Sequence, residues 1–233
     1  MANKSEFLAK RKELSENLGE QEIYSIVDHW PLYVGTKTLA RTVEILDIFR
    51  STLDVPGDIA EFGSHRGANI MYLAKLAQIY GVLDQKRLHC FESFEGLTNF
   101  KAEDGVQEGN QGRYRGNLAV LKEFISLFGF DQRILIHQGF IENTLPAFLE
   151  SAPDQRFSFL YYDADLYEPC KVVLECLKDK LSVGGVFVFD EYGLEEWPGE
   201  TQAVDEFLKT TDAFKVEKPG ITKRPGLVLR RLK

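Results

Sequence analysis

The chain has 233 residues, 44% of them hydrophobic and 12% aromatic, enough to bury a sizeable core as one domain. Its 36 acidic residues outnumber 28 basic ones for a formal net charge of −8. That balance repels phosphate backbones and argues against nucleic acid as a substrate, and the pairs Lys223–Arg224 and Arg230–Arg231 are too short to make a basic patch. Three cysteines (Cys90, Cys170, Cys176) without C-x-x-C spacing argue against a disulfide framework or a zinc site. No apolar run approaches the ~18 residues of a membrane span, and the first dozen residues are charged and polar, so no membrane partner and a cytoplasmic location are expected.

The first 55 residues read as a helical cap. Leu39, Val43, Leu46 and Phe49 recur at helical spacing within Lys37–Leu53, and Pro56-Gly57 stops the run. From there short β runs alternate with helices. Asp58–Phe62 is the first predicted strand, followed by the turn Gly63–Gly67 and a helix through Tyr80. Arg87–Phe91 is the second strand. Residues 95–116 are polar, carry five glycines and read as a long functional loop. A helix from Leu118 to Phe128 precedes the third strand, Arg133–His137. The fourth strand, Phe157–Tyr162, leads to a helix over Pro169–Leu181. A Gly184-Gly185 turn then opens the fifth strand, Val186–Phe189. A helix over Thr201–Thr211 and two closing strands, Phe214–Lys218 and Leu227–Arg231, complete the pattern. This predicts an α/β fold, a doubly wound and mostly parallel seven-stranded sheet with an N-terminal helical extension and an antiparallel pair at one edge. The expected organisation is one domain, 1–233, with a cap over 1–55 and a core over 56–233.

In such sheets ligands bind beyond the carboxyl ends of the strands. After the first strand, Glu61 precedes Gly63-Ser64-His65-Arg66-Gly67, a turn whose glycines allow close backbone approach to a ligand at a helix N-terminus. An ordinary βα turn is the plain alternative, and His65 fills the middle glycine of a dinucleotide fingerprint. After the second strand, Glu92 and Ser93 suit ribose hydroxyls without saying which nucleoside. After the third, Gly139 and Phe140 suit an adenine ring, with Phe140 as plain core the alternative. The fourth strand ends in Asp163-Ala164-Asp165 and the fifth in Asp190-Glu191. Parallel neighbours lie ~4.8 Å apart, so these ends converge, and four carboxylates in one crevice repel unless a cation neutralises them. An all-oxygen set suits a hard ion such as Mg²⁺, while two helix caps are the plain alternative. His29, Trp30 and Tyr33 are candidates for a lid over cofactor or substrate. Trp197, Glu200, Arg113, Tyr114 and Arg115 are candidates for the acceptor pocket. His89 and His137, inside strands, read as structural.

At these residues the sequence resembles the macrocin O-methyltransferase (TylF-type) family of class I, metal-dependent sugar methyltransferases. The resemblance runs from about Val55 to the C-terminus, with a weaker echo at Tyr33–Leu39. It is carried by Val55–Glu61, Arg66-Gly67, Phe91–Leu97, Gly139–Pro146, Asp163-Ala164-Asp165-Leu166-Tyr167-Glu168 and Asp190–Glu206. It implies S-adenosylmethionine as cofactor, bound by Glu61, Gly63, Ser64, His65, Gly67, Glu92, Ser93, Gly139, Phe140, Asp163 and Tyr33. It also implies a divalent metal, expected to be Mg²⁺, on Asp163, Asp190 and Glu191, with Asp165 as general base. The acceptor is then a hydroxyl on a sugar or glycosylated small metabolite, and self-association into a homo-oligomer is expected. Glu191 stands where the family usually has Asp, and Glu92 replaces the usual ribose Asp. Three other readings stay open. They are a metal-independent or nitrogen-directed methyltransferase, a nicotinamide-dependent oxidoreductase, and a non-catalytic binding module.

Overall fold

The structure is a computed structural model that describes residues 29–105 and 109–233. The expected helices within the first 28 residues, and residues 106–108 of the long loop, lie outside the described residues. Contacts divide the chain into two units, 1–42 and 43–233. The described part of the first unit holds a 3₁₀ turn, Trp30–Leu32, and the start of helix α1 (Thr36–Arg50). In the second unit the end of α1 buries Glu44, Ile45, Ile48 and Phe49. Past Arg50 the helical hydrogen bonds give way to turns, in which Thr52 N–H and hydroxyl both bond the Phe49 carbonyl.

The rest of the second unit alternates strands and helices. In chain order they are β1 (Asp58–Phe62), α2 (Ala68–Ile79), β2 (Leu88–Glu92), α3 (Leu118–Leu127), β3 (Ile134–Gln138), α4 (Ile141–Ser151), β4 (Phe157–Tyr162), α5 (Tyr167–Leu177), β5 (Leu181–Phe189), α6 (Pro198–Leu208), β6 (Phe214–Glu217) and β7 (Leu227–Arg231). They form one seven-stranded sheet in the order β3-β2-β1-β4-β5-β7-β6. The first five strands are parallel, and β7 runs antiparallel to both β5 and β6. The predicted fold class and the antiparallel edge are therefore observed.

Side-chain alternation sorts the strands' residues into two cores, one on each face. Ile59, Cys90, Phe159, Tyr161, Val186 and Val188 join one cluster. Ala60, Phe62, Phe91, Leu160, Tyr162, Phe187 and Phe189 join the other. Burial on both faces is why β1, β2 and β4 carry apolar residues on both faces rather than in strict alternation. Each fully buried Phe contributes about 1.5–3 kcal/mol of transfer free energy.

Two elements differ from the sequence reading. Helix α4 was not predicted, because Pro146 lies inside it and Glu142, Asn143 and Thr144 open it with polar residues. Its apolar stripe of Ile141, Leu145 and Phe148 was nevertheless present at helical spacing. Strand β5 starts at Leu181, so Gly184-Gly185 lie within it rather than forming a turn before it. The pairing shifts register there, from Phe157↔Leu181 to Phe159↔Val186, and the extra residues bulge out at Gly184, which takes φ +85°.

Candidate active site

The sheet order reverses at β1 and β4, and the site lies where these two strands end. Gly63 follows β1 with φ +86°, and a Cβ there would lie 2.1 Å from the Asp163 carbonyl oxygen. Only glycine lets the ends of β1 and β4 come this close. Gly67, at φ +83°, is the N-cap of α2 and packs against Leu121. Glu61 is buried and accepts hydrogen bonds from Ser64 Oγ at 2.5 Å and Asn69 Nδ2 at 2.8 Å. Glu92, at the end of β2, accepts from the backbone N–H of His65 at 2.6 Å and of Phe94 at 2.8 Å. Glu92 thus ties the turn after β1 to the turn after β2. The Ser93 hydroxyl lies 3.4 Å from the same carboxylate. Gly139 donates its N–H to the Glu92 carbonyl at 3.0 Å, and Phe140 is the N-cap of α4, only partly buried. Glu61, Gly63, Ser64, His65, Gly67, Glu92, Ser93, Gly139 and Phe140 are thus linked across the ends of β1, β2 and β3. Tyr33 and His29 belong to the first unit.

The acidic residues follow β4 and β5. The ladder continues one step past each strand: Asp163 N–H donates to the Phe62 carbonyl at 2.8 Å and Asp190 N–H to the Tyr162 carbonyl at 3.1 Å. Asp163, Asp165 and Glu191 each bring a carboxylate oxygen within 4.8 Å of the others. Asp165 has φ +62°, and Leu166 N–H folds back onto the Ala164 carbonyl at 2.7 Å. The segment after β4 is therefore a tight left-handed turn and not an extended continuation of the strand. Asp is among the few residues that tolerate this conformation. Neither acidic pair caps a helix: α5 is capped by Leu166 and α6 by Trp197, neither with a side-chain hydrogen bond.

Asp190 points elsewhere. It is fully buried, its Oδ1 accepts from the Tyr161 hydroxyl, and its Oδ2 accepts from Arg224 Nε at 2.9 Å and Nη2 at 2.6 Å. Arg224 also bonds Glu191 Oε1. Glu191 Oε2 and Glu200 Oε2 are buried without a hydrogen-bond partner among the described residues. Burial and the charges of Asp163, Asp190, Asp165 and Glu200 push Glu191 far above the usual carboxylate range. Burial likewise raises Asp165, opposed by the nearby Arg224 and reinforced by Asp190. Buried among Asp190, Asp163 and Asp165, Glu200 is raised as well, and its Oε1 accepts the Glu191 N–H at 2.9 Å.

Sequence reasoning missed three of these groups. Arg224 arrives from the β6–β7 loop. Tyr161 is the last residue but one of β4. Asp104, in the 3₁₀ turn Ala102–Asp104, accepts from Tyr167 N–H at 2.7 Å and Lys101 N–H at 2.7 Å. Asp104 thereby fastens the long loop to the start of α5, just after Asp165. In that loop Tyr114 stacks edge-on with His65 at 5.7 Å between centroids and lies 6.5 Å from Trp197. The three rings run from the turn after β1 through the long loop to the N-cap of α6.

The model of the macrocin-O-methyltransferase (TylF) family matches residues 25–219. The chain is 28% identical over 71% of its length to an 8-demethyl-8-(2,3-dimethoxy-alpha-L-rhamnosyl)-tetracenomycin-C 4'-O-methyltransferase of Streptomyces olivaceus, covering 66% of that protein. It is 26% identical over 66% of its length to a mycinamicin III 3''-O-methyltransferase of Micromonospora griseorubida, covering 61% of it. In each case the match spans less than two thirds of the curated relative. Among solved structures, the calicheamicin methyltransferase CalS11 superposes with a TM-score of 0.85 at 28% identity, covering 99% of this chain and 94% of that one. With the glycine turn after β1 and the acidic ends of β4 and β5 in place, the chain belongs to the macrocin-O-methyltransferase (TylF) family.

Proposed function

We propose that this protein transfers the methyl group of S-adenosylmethionine to a hydroxyl on a sugar of a small glycosylated metabolite, with a divalent cation, Mg²⁺, at the acidic cluster. The observation that carries the reading is the set of buried carboxylates at the ends of β4 and β5 beside the glycine turn of β1. The named activities of the relatives support the acceptor class.

The residues present fit a cation. The donor set is all oxygen, as a hard ion requires, and Glu191 Oε2 is buried without a partner. A buried carboxylate so placed is costly unless it is neutralised. Asp163 and Glu191 would hold the ion. Asp190 is the third ligand expected from the family pattern, and its Oδ2 is held by Arg224. Glu61, Ser64, His65, Gly67, Glu92 and Ser93 would bind the amino-acid and ribose parts of the cofactor, with Gly139 and Phe140 at its base.

Bound at these residues, the cofactor would supply a methyl carbon on a positive sulfur and a divalent ion would lower the pKa of an acceptor hydroxyl. Asp165 would accept the proton that the hydroxyl gives up. Its raised pKa suits a base working near neutral pH. The left-handed turn at Asp165 aims that carboxylate at the cluster while α5 holds the backbone behind it. Tyr114 and Trp197 shield the acceptor side from water, and fixing the reacting atoms about 3–3.5 Å apart supplies much of the rate.

The test is methyl transfer from labelled S-adenosylmethionine to a panel of deoxysugar glycosides, with and without a chelator. Transfer to a sugar hydroxyl that chelation abolishes and Mg²⁺ restores is the expected result. Binding of NADH but not S-adenosylhomocysteine would overturn the cofactor assignment, and full activity after exhaustive chelation would remove the metal.

A further inference from the structure

Arg224 is not left to wander into the acidic cluster. The loop that carries it, residues 218–226, is pinned at both ends. Near its start, Gly220 and Ile221 donate their N–H groups to the Glu44 carboxylate at 3.3 and 2.6 Å. At its end, Gly226 donates its N–H to the Phe189 carbonyl at 2.8 Å, one residue before Asp190. A Cβ on Gly226 would lie 2.0 Å from the Tyr192 carbonyl oxygen, so this approach depends on glycine. Pro225 is buried beside it. The loop therefore delivers the Arg224 guanidinium onto Asp190 Oδ2 through two nitrogens and onto Glu191 through one of them.

Two features of this clamp stand out. The acids it holds are 0% and 2% exposed, whereas the arginine side chain is 45% exposed. The carboxylates cannot leave, but the guanidinium can move into water at small cost. The clamp takes Asp190 Oδ2 and Glu191 Oε1, the second of them on a carboxylate that groups with Asp163 and Asp165.

We propose that Arg224 is a built-in competitor for the divalent ion. It neutralises Asp190 and Glu191 in the metal-free protein, and metal binding displaces it. This rests on the metal-dependent reading above and adds a gate to that site. The physical basis is charge balance. A pair of buried carboxylates needs a positive partner, and two cations at one pair of acids repel each other. A side chain half in solvent is the partner that yields.

The test compares the full-length wild-type chain with Arg224→Gln and Arg224→Lys. Mg²⁺ binding is measured by calorimetry, and thermal midpoints are recorded with and without Mg²⁺. S-adenosylhomocysteine affinity serves as a check on folding. Arg224→Gln is expected to bind Mg²⁺ about tenfold more tightly, a change of about 1.4 kcal/mol. Its midpoint should fall without the ion and recover when Mg²⁺ is added. Arg224→Lys keeps the charge and should stay near wild type. If Arg224 were only a strut for its loop, Mg²⁺ affinity would be unchanged and the midpoint would fall equally with and without the ion. That result, or weaker Mg²⁺ binding in Arg224→Gln, overturns the proposal while leaving the metal-dependent reading intact. Binding of Mg²⁺ by neither protein, with S-adenosylhomocysteine still bound, overturns the metal-dependent reading and the competition together.

Discussion

Lys86 and Glu191 are both charged residues buried against the same sheet, at 5% and 2% exposure, yet their surroundings are opposite. Lys86 has three N–H donors, and they meet the Val55 carbonyl, the Gly57 carbonyl at 3.2 Å and Ser158 Oγ at 2.9 Å. Nearby, Asp58 accepts from Arg87 N–H at 2.9 Å, Gln155 at 2.9 Å and His89 Nε2 at 3.2 Å, and His89 Nδ1 meets His137 Nε2 at 3.0 Å. At this end of β1 every donor named has an acceptor. At the other end Glu191 and Glu200 each keep an oxygen with no partner among the described residues, in a crowd of like charges. A protein that can satisfy one buried network fully, and leaves another incomplete, keeps the second for something that arrives from outside. The incomplete network is the one to which the proposed chemistry is assigned.

That contrast is most sharply broken at Asp165. Asp165→Asn keeps the shape and a hydrogen-bonding side chain but removes the proton acceptor. Turnover should fall about 10²–10⁴-fold, the scale of a general base. Calorimetry should show S-adenosylhomocysteine binding unchanged. Wild-type turnover in this variant would return Asp165 to the role of a turn residue.

At the satisfied end the expected effect is on stability instead. Lys86→Met removes the donor shared by two carbonyls and Ser158, and the Val55 carbonyl loses its partner while Gly57 keeps Ser158, at a cost of about 1–3 kcal/mol. Urea unfolding should show the loss, while cofactor affinity of the folded protein stays put. A Lys86→Met protein as stable as wild type but unable to bind cofactor would invert the assignment of the two ends.

The sequence made the sheet legible because its central strands are short apolar runs punctuated by glycine and proline, from Asp58–Phe62 to Phe157–Tyr162. The carboxylates were legible too, since Asp163 and Asp190 follow their strands directly, with Asp165 and Glu191 close behind. What was hidden depended on three-dimensional delivery. Arg224 lies 34 residues from Asp190 and read only as half of a short basic pair. The left-handed turn at Asp165 leaves no mark, because Asp is common in extended and turned backbone alike. Helix α4 was obscured by Pro146, whose ring breaks a helical pattern on paper but is accommodated here.

The histidine pair offers a pH test of the satisfied network. Burial lowers His137 from its ordinary 6.5 to about 4, with the neighbouring His89 adding to the effect. The unfolded chain therefore takes up this proton before the folded one does. The contribution to stability is complete above pH 6.5 and is lost as pH falls from there toward about 4. His137→Gln should flatten the slope of unfolding free energy across that window. An unchanged slope would assign the acid sensitivity to other groups.

Glu200 is expected to show the smallest effect, and it decides how far the incomplete network extends. It is 0% exposed, and burial together with the charges of Asp190, Asp163 and Asp165 pushes its pKa well up. A carboxyl whose Oε1 accepts the Glu191 N–H can be replaced by an amide of the same shape that accepts the same bond. Glu200→Gln should therefore leave the melting midpoint within the range of a conservative change, roughly ±0.5 kcal/mol. Mg²⁺ affinity should stay close to wild type if, as proposed, the ion's oxygens come from Asp163 and Glu191. Glu191→Gln removes one of those oxygens' charges and should abolish measurable Mg²⁺ binding. If Glu200→Gln instead matches Glu191→Gln in the calorimeter, Glu200 carries charge toward the ion. The functional network would then reach from the end of β5 into the first turn of α6.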